Sequence, residues 1–437
     1  MKKNIFIPKI LYKKCRDLLQ IILNSKYPAD NEMSVFFRKN KNCGKNDRGF
    51  IAETVYGVLR NFKALNHIID NIEFNMNQRA DLLIIIYLIK YAGFDIKEIL
   101  NISGAKLDVQ HTEIIKNFKI ESKAKNAYER ISLKYSVPEW LVKTVELEFD
   151  LNETEKICES LNAEAKLHLR TNLSKISRFD LSGILESEGI HTKPAGYSPA
   201  GLIAEKKTNL FANKSFQNGL FEVQDEGSQL ISYLADPRPG EIVVDGCCGA
   251  GGKTLHLSDL MKNKGILYAF DISGSRIENL RKRAKRDDFH NIRTEVLSDG
   301  GNHKLSRLNG KADRVLIDAP CSGCGVFRRN PDAKLRLKEN EAKKIFPEKQ
   351  LYLLDKYAPL AKKNGVVVYS TCSIVQYENE EVVKKFLESH KEFELTNASE
   401  FLKKYGIEIN MKNDFLKLYP HLHFTDGFFA ARLRKIK

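Results

Sequence analysis

Four short apolar bursts constrain this chain more than any other feature of it. Ile242-Val243-Val244, Ile266 to Phe270, Val315-Leu316-Ile317 and Val366-Val367-Val368 each stop at a polar or turn residue. Those stops are Asp245, Asp271, Asp318 and the step Ser370-Thr371-Cys372. Apolar runs alternating with helix-length stretches predict a parallel sheet with helices packed on it, an α/β architecture. In an open sheet of that kind ligands bind beyond the carboxyl ends of the strands. The residues that end the strands therefore also define the candidate site, within a domain expected to span residues 221–437.

The rest of the 437-residue chain leaves room for further domains at roughly 150 residues each. Residues 1–125 read as helical. Ile51, Val55, Val58, Leu59, Phe62, Leu65 and Ile69 recur at spacings of three and four, which predicts one face of one helix. Asp81 to Tyr91 is apolar almost all round and predicts the central helix of a small bundle, after a polar loop from Asn71 to Gln78. Residues 126–220 read as a small α+β segment. Pro138 opens a helix carrying Trp140, Leu141, Val145 and Leu147. Leu167 to Asn172 alternates like a strand, and Asp180 to Glu188 looks helical.

Lys and Arg number 71 against 56 Asp and Glu, a formal charge of +15. Such an excess favours a polyanionic partner, because a basic face releases condensed counterions on binding. The longest apolar stretch, Leu82 to Ile89, falls far short of the ~20 residues that span a bilayer. Met1-Lys2-Lys3-Asn4 leads into no long apolar core, so neither a membrane partner nor a secretory signal is expected. Eight cysteines in a chain of this length are not a disulfide framework, which places the protein in a reducing cytoplasm.

The first strand end runs Asp245-Gly246-Cys247-Cys248-Gly249-Ala250-Gly251-Gly252-Lys253-Thr254. Its small residues let the backbone approach a ligand, and the following helix offers its N-terminal amides. The phosphate-loop spacing fails because position 247 is Cys where Gly is needed, and G-x-G-x-x-G is absent. An adenosyl ligand without a pyrophosphate fits better, with Asp271 placed to hold ribose hydroxyls. S-adenosylmethionine is the expected cofactor. Two further strand ends each present a cysteine: Asp318-Ala319-Pro320-Cys321-Ser322-Gly323-Cys324-Gly325 and Tyr369-Ser370-Thr371-Cys372-Ser373. Carbon-5 of cytosine is too weakly nucleophilic to take a methyl group unaided. A thiolate adding to carbon-6 activates it, a base then removes the carbon-5 proton, and the thiol leaves. An acid near ring nitrogen-3, a role for Asp318, would stabilise the charge that develops.

The motif from Asp318 to Asp332, together with Tyr369 to Ser373, closely resembles the RsmB/Nop-type RNA (cytosine-5) methyltransferases. Phe221 to Ser228, Asp426 to Phe429, Tyr135 to Leu141 and Leu169 to Asn172 are similar to further segments of that family, so the resemblance covers most of the chain. Tyr56-Gly57-Val58-Leu59-Arg60 in a helical N-terminus looks like its NusB-like RNA-binding domain, which points to the bacterial, small-subunit-rRNA branch. The resemblance implies a Rossmann-like class I methyltransferase domain behind an all-α NusB-like domain and a small α+β domain. It implies Cys372 as nucleophile and Cys321 as the thiol that resolves the covalent adduct. The donor would be held by Cys247, Cys248, Gly249, Ala250, Gly251, Gly252 and Lys253, with Asp271, Asp299 and Asp318. One departure matters. The family has Cys-Ala-Ala-Pro-Gly-Gly-Lys, whereas Gly249 and Ala250 here leave the turn less rigid.

Plainer readings accompany several residues. Cys321-x-x-Cys324 has no second such pair, so no metal is expected, and Cys324 reads as a turn filler. Cys15, Cys43 and Cys158 read as packing or surface residues, Trp140 as a core anchor and His256 as locally packed. The basic run Arg276, Arg281, Lys282, Arg283, Lys285 and Arg286 reads as an RNA contact or a solvated helix face. Arg328 and Arg329 read as substrate contacts or as a salt-bridged loop. The expected whole is a monomeric, cytoplasmic enzyme acting on rRNA of the small subunit. A ribosome-assembly protein with weakened turnover is the second reading, resting on Gly249-Ala250.

Overall fold

A computed structural model describes residues 8–72, 79–104, 109–206, 210–297, 303–411 and 413–437. The loop expected at Asn71 to Gln78 lies mostly outside these residues. Two compact units form: residues up to Glu164 with Phe327–Leu337, and Ala165–Val326 with Lys338–Lys437. The segment read from sequence as residues 126–220 spans both units: the helices Ala127–Lys134, Glu139–Glu146 and Leu151–Asn162 go with the first, and the helices Arg178–Ser187 and Lys214–Gln217 go with its strands in the second.

The first unit is helical. Its helices run Lys9–Asn24, Ala29–Lys39, Lys45–Arg60, Phe62–Asn71, Arg79–Lys90, Ile96–Ser103 and Val109–Asn117, then Ala127–Lys134, Glu139–Glu146 and Leu151–Asn162. The apolar helix Arg79–Lys90 is central, with Leu83, Ile84, Ile85, Ile86 and Leu88 wholly buried. Its one buried carboxylate, Asp81, accepts the Tyr12 hydroxyl at 2.8 Å. The single helix expected from Ile51 to Ile69 is two. Asn61 leaves helical geometry (φ −105°, ψ 17°), and its side chain donates to the Gly57 carbonyl at 2.9 Å, which ends the first helix. The apolar face continues across the break, which is why periodicity alone did not reveal it. Gly57 is required here, since a Cβ would lie 2.0 Å from the Tyr87 ring. The Arg60 guanidinium donates to the carbonyls of Asn162 (3.0 Å), Ala163 (2.7 Å) and Arg328 (3.0 Å), fixing the 327–337 segment into this unit. Asp332 completes that fixation by accepting the Ala29 amide at 3.0 Å.

The second unit holds two sheets. In the smaller, β1 (Leu167–Thr171), β2 (Thr192–Pro194), β3 (Gly201–Ala204) and β4 (Phe221–Val223) run antiparallel in the order β2-β3-β1-β4. The larger contains β5 (Ile242–Asp245), β6 (Ile266–Asp271), β7 (Ile292–Val296), β8 (Ala312–Asp318), β9 (Ala361–Thr371), β10 (Phe393–Thr396), β11 (Leu416–Leu418) and β12 (Phe428–Lys435). Their order is β10-β12-β9-β8-β5-β6-β7, with β11 against β12. β9, β8, β5, β6 and β7 are parallel, while β12 returns antiparallel beside β9. All four apolar bursts are strands of this sheet, with Val243, Val244, Leu267, Leu316, Ile317, Val367 and Val368 wholly buried. β5 has β6 on one side and β8 on the other. Successive connections therefore diverge there, opening a crevice at the carboxyl ends of β5 and β8.

Candidate functional site

One wall of the crevice is the turn after β5. Asp245 is buried and accepts the Thr254 hydroxyl at 2.7 Å, and burial pushes its carboxyl up to about 7. The Cys248 amide donates to the Phe270 carbonyl at 2.9 Å, and the Gly251 amide to that of Cys248 at 2.9 Å. Gly249 (φ 53°) and Gly251 (φ 92°) adopt the left-handed region, and a Cβ on Gly251 would meet Leu280 at 2.3 Å. Around Gly249, by contrast, a Cβ would meet nothing within 4 Å, so the turn faces open space. Gly252 begins the helix Gly252–Leu260. Cys248 packs beneath the turn against Leu255, Ala269 and Ile277, its plainer reading, and Cys247 packs on the sheet core. Burial pushes both thiols upward, which keeps them protonated and out of nucleophilic chemistry.

Asp271 closes this wall, accepting the amides of Gly249 at 2.9 Å and Ser273 at 2.8 Å. Ile272 beside it is 73% exposed, an apolar side chain offered to a ligand that the sequence reading missed. Two arginines hold the turn from behind. Arg283 Nη1 donates to the Ala250 carbonyl at 2.6 Å, and Arg170 Nη1 to that of Gly252 at 2.7 Å. Arg283 also grips Glu222 through Nε (3.1 Å) and Nη2 (2.9 Å), and Arg286 pairs with the same carboxylate. Burial alone would raise Glu222, but these guanidinium groups outweigh it and hold the carboxyl below its usual range. Open space at a glycine turn, an acid at the next strand end and an exposed apolar neighbour suit an adenosyl group.

The other wall is built by β8 and β9. Their parallel register sets Asp318 opposite Ser370, so the residues that follow each strand emerge side by side. Cys321 and Cys372 meet with their sulfurs 3.2 Å apart, both half-buried. The neighbouring Cys372 sulfur, through its hydrogen bond, and then burial push the Cys321 thiol well above its ordinary value. Asp318 joins the two walls: Lys253 Nζ lies 2.7 Å from its Oδ2, and the Ser370 hydroxyl donates to its Oδ1 at 2.9 Å. The Cys372 carbonyl accepts the Gly325 amide at 3.0 Å, and Gly325 in turn accepts the Gly427 amide at 2.9 Å. A Cβ on Gly325 would lie 2.2 Å from the Gly427 carbonyl oxygen, so only glycine fits.

Of the residues singled out in the sequence, Lys253, Asp318, Cys321 and Cys372 come together at the crevice, and Gly249 joins Asp271. Asp299 lies outside the described residues. Cys324 is wholly buried with its sulfur 3.2 Å from the Ser373 hydroxyl, a packed position as expected of a turn filler. Cys15, Cys43 and Cys158 are buried, and His256 is buried edge-on to Tyr233 with ring centroids 4.9 Å apart. Arg328 is buried, and its carbonyl accepts from Arg60. Besides Ile272, the sequence reading missed Arg170 and Glu222, whose side chains gave no local signal of being turned inward.

A family model described as 16S rRNA methyltransferase RsmB/F matches residues 232–434. A second, described as an RsmF/B-like methyltransferase ferredoxin-like domain, matches residues 137–210. The chain is 31% identical over 417 residues to a Bacillus subtilis protein named probable ribosomal RNA small subunit methyltransferase B, covering 91% of this chain and 92% of that one. It is 30% identical over 312 residues to a Mus musculus 28S rRNA (cytosine-C(5))-methyltransferase, covering 69% of this chain and 39% of that one. Among solved structures, the protein PH0851 superposes with a TM-score of 0.81 at 26% identity, covering 99% of this chain and 100% of that one.

Proposed function

The chain belongs to the RsmB/F family of 16S rRNA methyltransferases, and from that premise we propose how its own residues perform the reaction. It is an S-adenosylmethionine-dependent RNA (cytosine-C5) methyltransferase. S-adenosylmethionine, when bound, supplies the electrophilic methyl group. The turn Cys247 to Lys253 and Asp271 hold its adenosyl part, with Ile272 against the base, and Asp318 closes the site towards the second substrate.

The single observation that carries the mechanism is the sulfur pair, 3.2 Å apart, beside the Lys253–Asp318 contact of 2.7 Å. Cys372 adds to carbon-6 of the cytosine, and carbon-5 becomes nucleophilic. The Lys253–Asp318 pair stabilises the charge that addition places on ring nitrogen-3. Once Cys372 is bonded to carbon, it no longer shares a hydrogen with Cys321. Cys321, its thiol proton first lost to solvent, takes the carbon-5 proton as a thiolate, the carbon–sulfur bond to Cys372 breaks to return the Cys372 thiolate, and methylated cytosine is released. The target base must leave its stack to reach the sulfur, at a cost of a few kcal/mol that is least in a loop or bulge.

Small-subunit rRNA is the substrate we infer, by extension from the B. subtilis relative's name. The N-terminal helices act as a NusB-like grip and the small α+β segment as a second one, with the +15 charge favouring the polyanion. Among the described residues no helix is long and apolar enough to cross a membrane; a monomer working in the cytoplasm without a metal is the corresponding proposal. Incubation of the protein with methyl-labelled donor and undermethylated small-subunit RNA, followed by mapping of the labelled cytosine, tests this reading. Label on carbon-5 of a cytosine is expected. A donor that binds while the RNA stays unlabelled would instead favour a binding protein that has lost turnover.

A further inference from the structure

The mechanism leaves one wholly buried acid unused. Glu378 ends the short turn Gln376–Glu378, past Cys372, and among the described residues no lysine or arginine pairs with it. An uncompensated buried carboxyl is costly unless hydrogen bonds engage it. Here they do, and most of them come from the Cys321 side, with one more from the Ser373 side chain. The Ser322 amide donates to Oε1 at 2.8 Å and the Ser322 hydroxyl to Oε2 at 2.5 Å. Gln350 Nε2 bridges Oε1 (3.2 Å) and the Pro320 carbonyl (3.0 Å). The residues on either side of Cys321 thus depend on one carboxyl group.

Cys372 has further supports of its own, although Ser373 beside it also reaches that carboxyl. Its carbonyl takes the Gly325 amide at 3.0 Å. Asn379 accepts the Thr371 hydroxyl at 2.6 Å and donates to the Ser373 carbonyl at 3.1 Å. The Glu378 main chain is itself anchored by the Tyr369 hydroxyl at 2.5 Å. Loss of the Glu378 carboxyl would free both Ser322 contacts and the Gln350 bridge but only one contact at Ser373, so the Cys321 loop would loosen more than the Cys372 loop, which Gly325 and Asn379 still hold.

We propose that Glu378 is a positioning residue for the second half of the reaction, acting through Ser322 and Gln350 to hold the Cys321 sulfur where it can resolve the adduct on Cys372. The inference rests on the two-thiol reading above and deepens it by dividing the two steps between two sets of supports. A displacement of about 1 Å at a reacting group costs on the order of 10²-fold.

The experiment uses full-length protein, an in vitro transcript of small-subunit rRNA and S-adenosylmethionine, in single turnover. Denaturing gels report the covalent adduct and nucleoside analysis the released product. Glu378→Ala is expected to slow product release about 10²-fold, to form adduct at nearly the wild-type rate, and so to accumulate it as Cys321→Ala does. Glu378→Gln keeps an acceptor for the Ser322 and Gln350 N–H groups and is expected to restore release to within several-fold of wild type. Ser322→Ala removes only the hydroxyl arm and is expected to accumulate less adduct, which keeps the proposal open to refutation if Glu378→Ala does not fold. Release at the wild-type rate in Glu378→Ala and Ser322→Ala would overturn it. So would equal loss of adduct and product, or a Glu378→Gln variant as slow as Glu378→Ala. A wild-type protein that gives product without any adduct would sink the two-thiol reading as well.

Discussion

The two walls of the crevice rise from one sheet, yet they are held by different chemistry. The turn after β5 is fixed from behind by charged arms, Arg283 with its partner Glu222 and Arg170, all directed at backbone carbonyls. The sulfur wall is fixed by hydroxyls, amides and one buried carboxyl without a cation. The difference follows from what each wall must preserve. The turn has to keep a backbone shape, and charges behind it do not alter its reactivity. The sulfurs have to keep unequal roles, and a guanidinium beside them would favour the thiolate form of both alike.

The largest expected effect tests the inequality of the sulfurs. Cys372→Ala should remove both adduct and product, a loss of at least about 10³-fold in turnover, whereas Cys321→Ala should trap adduct on the RNA. Adduct that survives only in Cys372→Ala would exchange the two roles. Next comes the charged wall. Arg170→Met and Arg283→Met should weaken binding of S-adenosylhomocysteine about tenfold each, roughly 1.4 kcal/mol by calorimetry. Alkylation of Cys372 by a small electrophile should proceed unchanged in both variants, and a matching loss of thiol reactivity would erase the contrast between the walls.

A third effect is on stability. Asp245 holds its proton up to about 7 because it is buried, so between the ordinary carboxylate range and pH 7 the folded state binds more protons than the unfolded one. Stability from this group is fully present below about pH 4 and is lost as pH rises towards 7. Across the upper part of that window Tm should fall by about 2–4 °C, and Asp245→Asn should flatten the slope, as thermal melts would report. The smallest effect concerns stiffness. Ala250→Pro restores the family residue in the turn and should tighten donor binding two- to fivefold, or about 0.4–1 kcal/mol; weaker binding would mean the Arg283 contact needs the freer backbone.

The parts of this arrangement that were legible in sequence share a physical cause. A strand that ends at Asp245, Asp271 or Asp318 announces itself because apolar residues stop where burial stops. Cys321 and Cys372 were legible as a pair because each follows such a stop. Glu378 was not, since Gln376-Tyr377-Glu378-Asn379-Glu380 reads as a solvated turn and only tertiary packing buries it. The basic helix Gly274–Asp287 divides in the same way. Arg276, Arg281 and Lys282 face solvent, while Arg283 and Arg286 turn inward to Glu222, a carboxylate distant in sequence. The break at Asn61 escaped notice because apolar periodicity runs through it.

The seat of Cys372 includes the amide of Gly427, relayed through Gly325, and that link has a consequence for the order in which the molecule becomes competent. During synthesis both thiols exist well before residue 427 is added, but the Gly325 relay beneath the nucleophile lacks its outer anchor, and β9 its antiparallel neighbour, until β12 is in place. A nascent or prematurely terminated chain would carry every reactive atom and still lack part of the support that aims them, so unfinished copies would methylate poorly the ribosomes that make them.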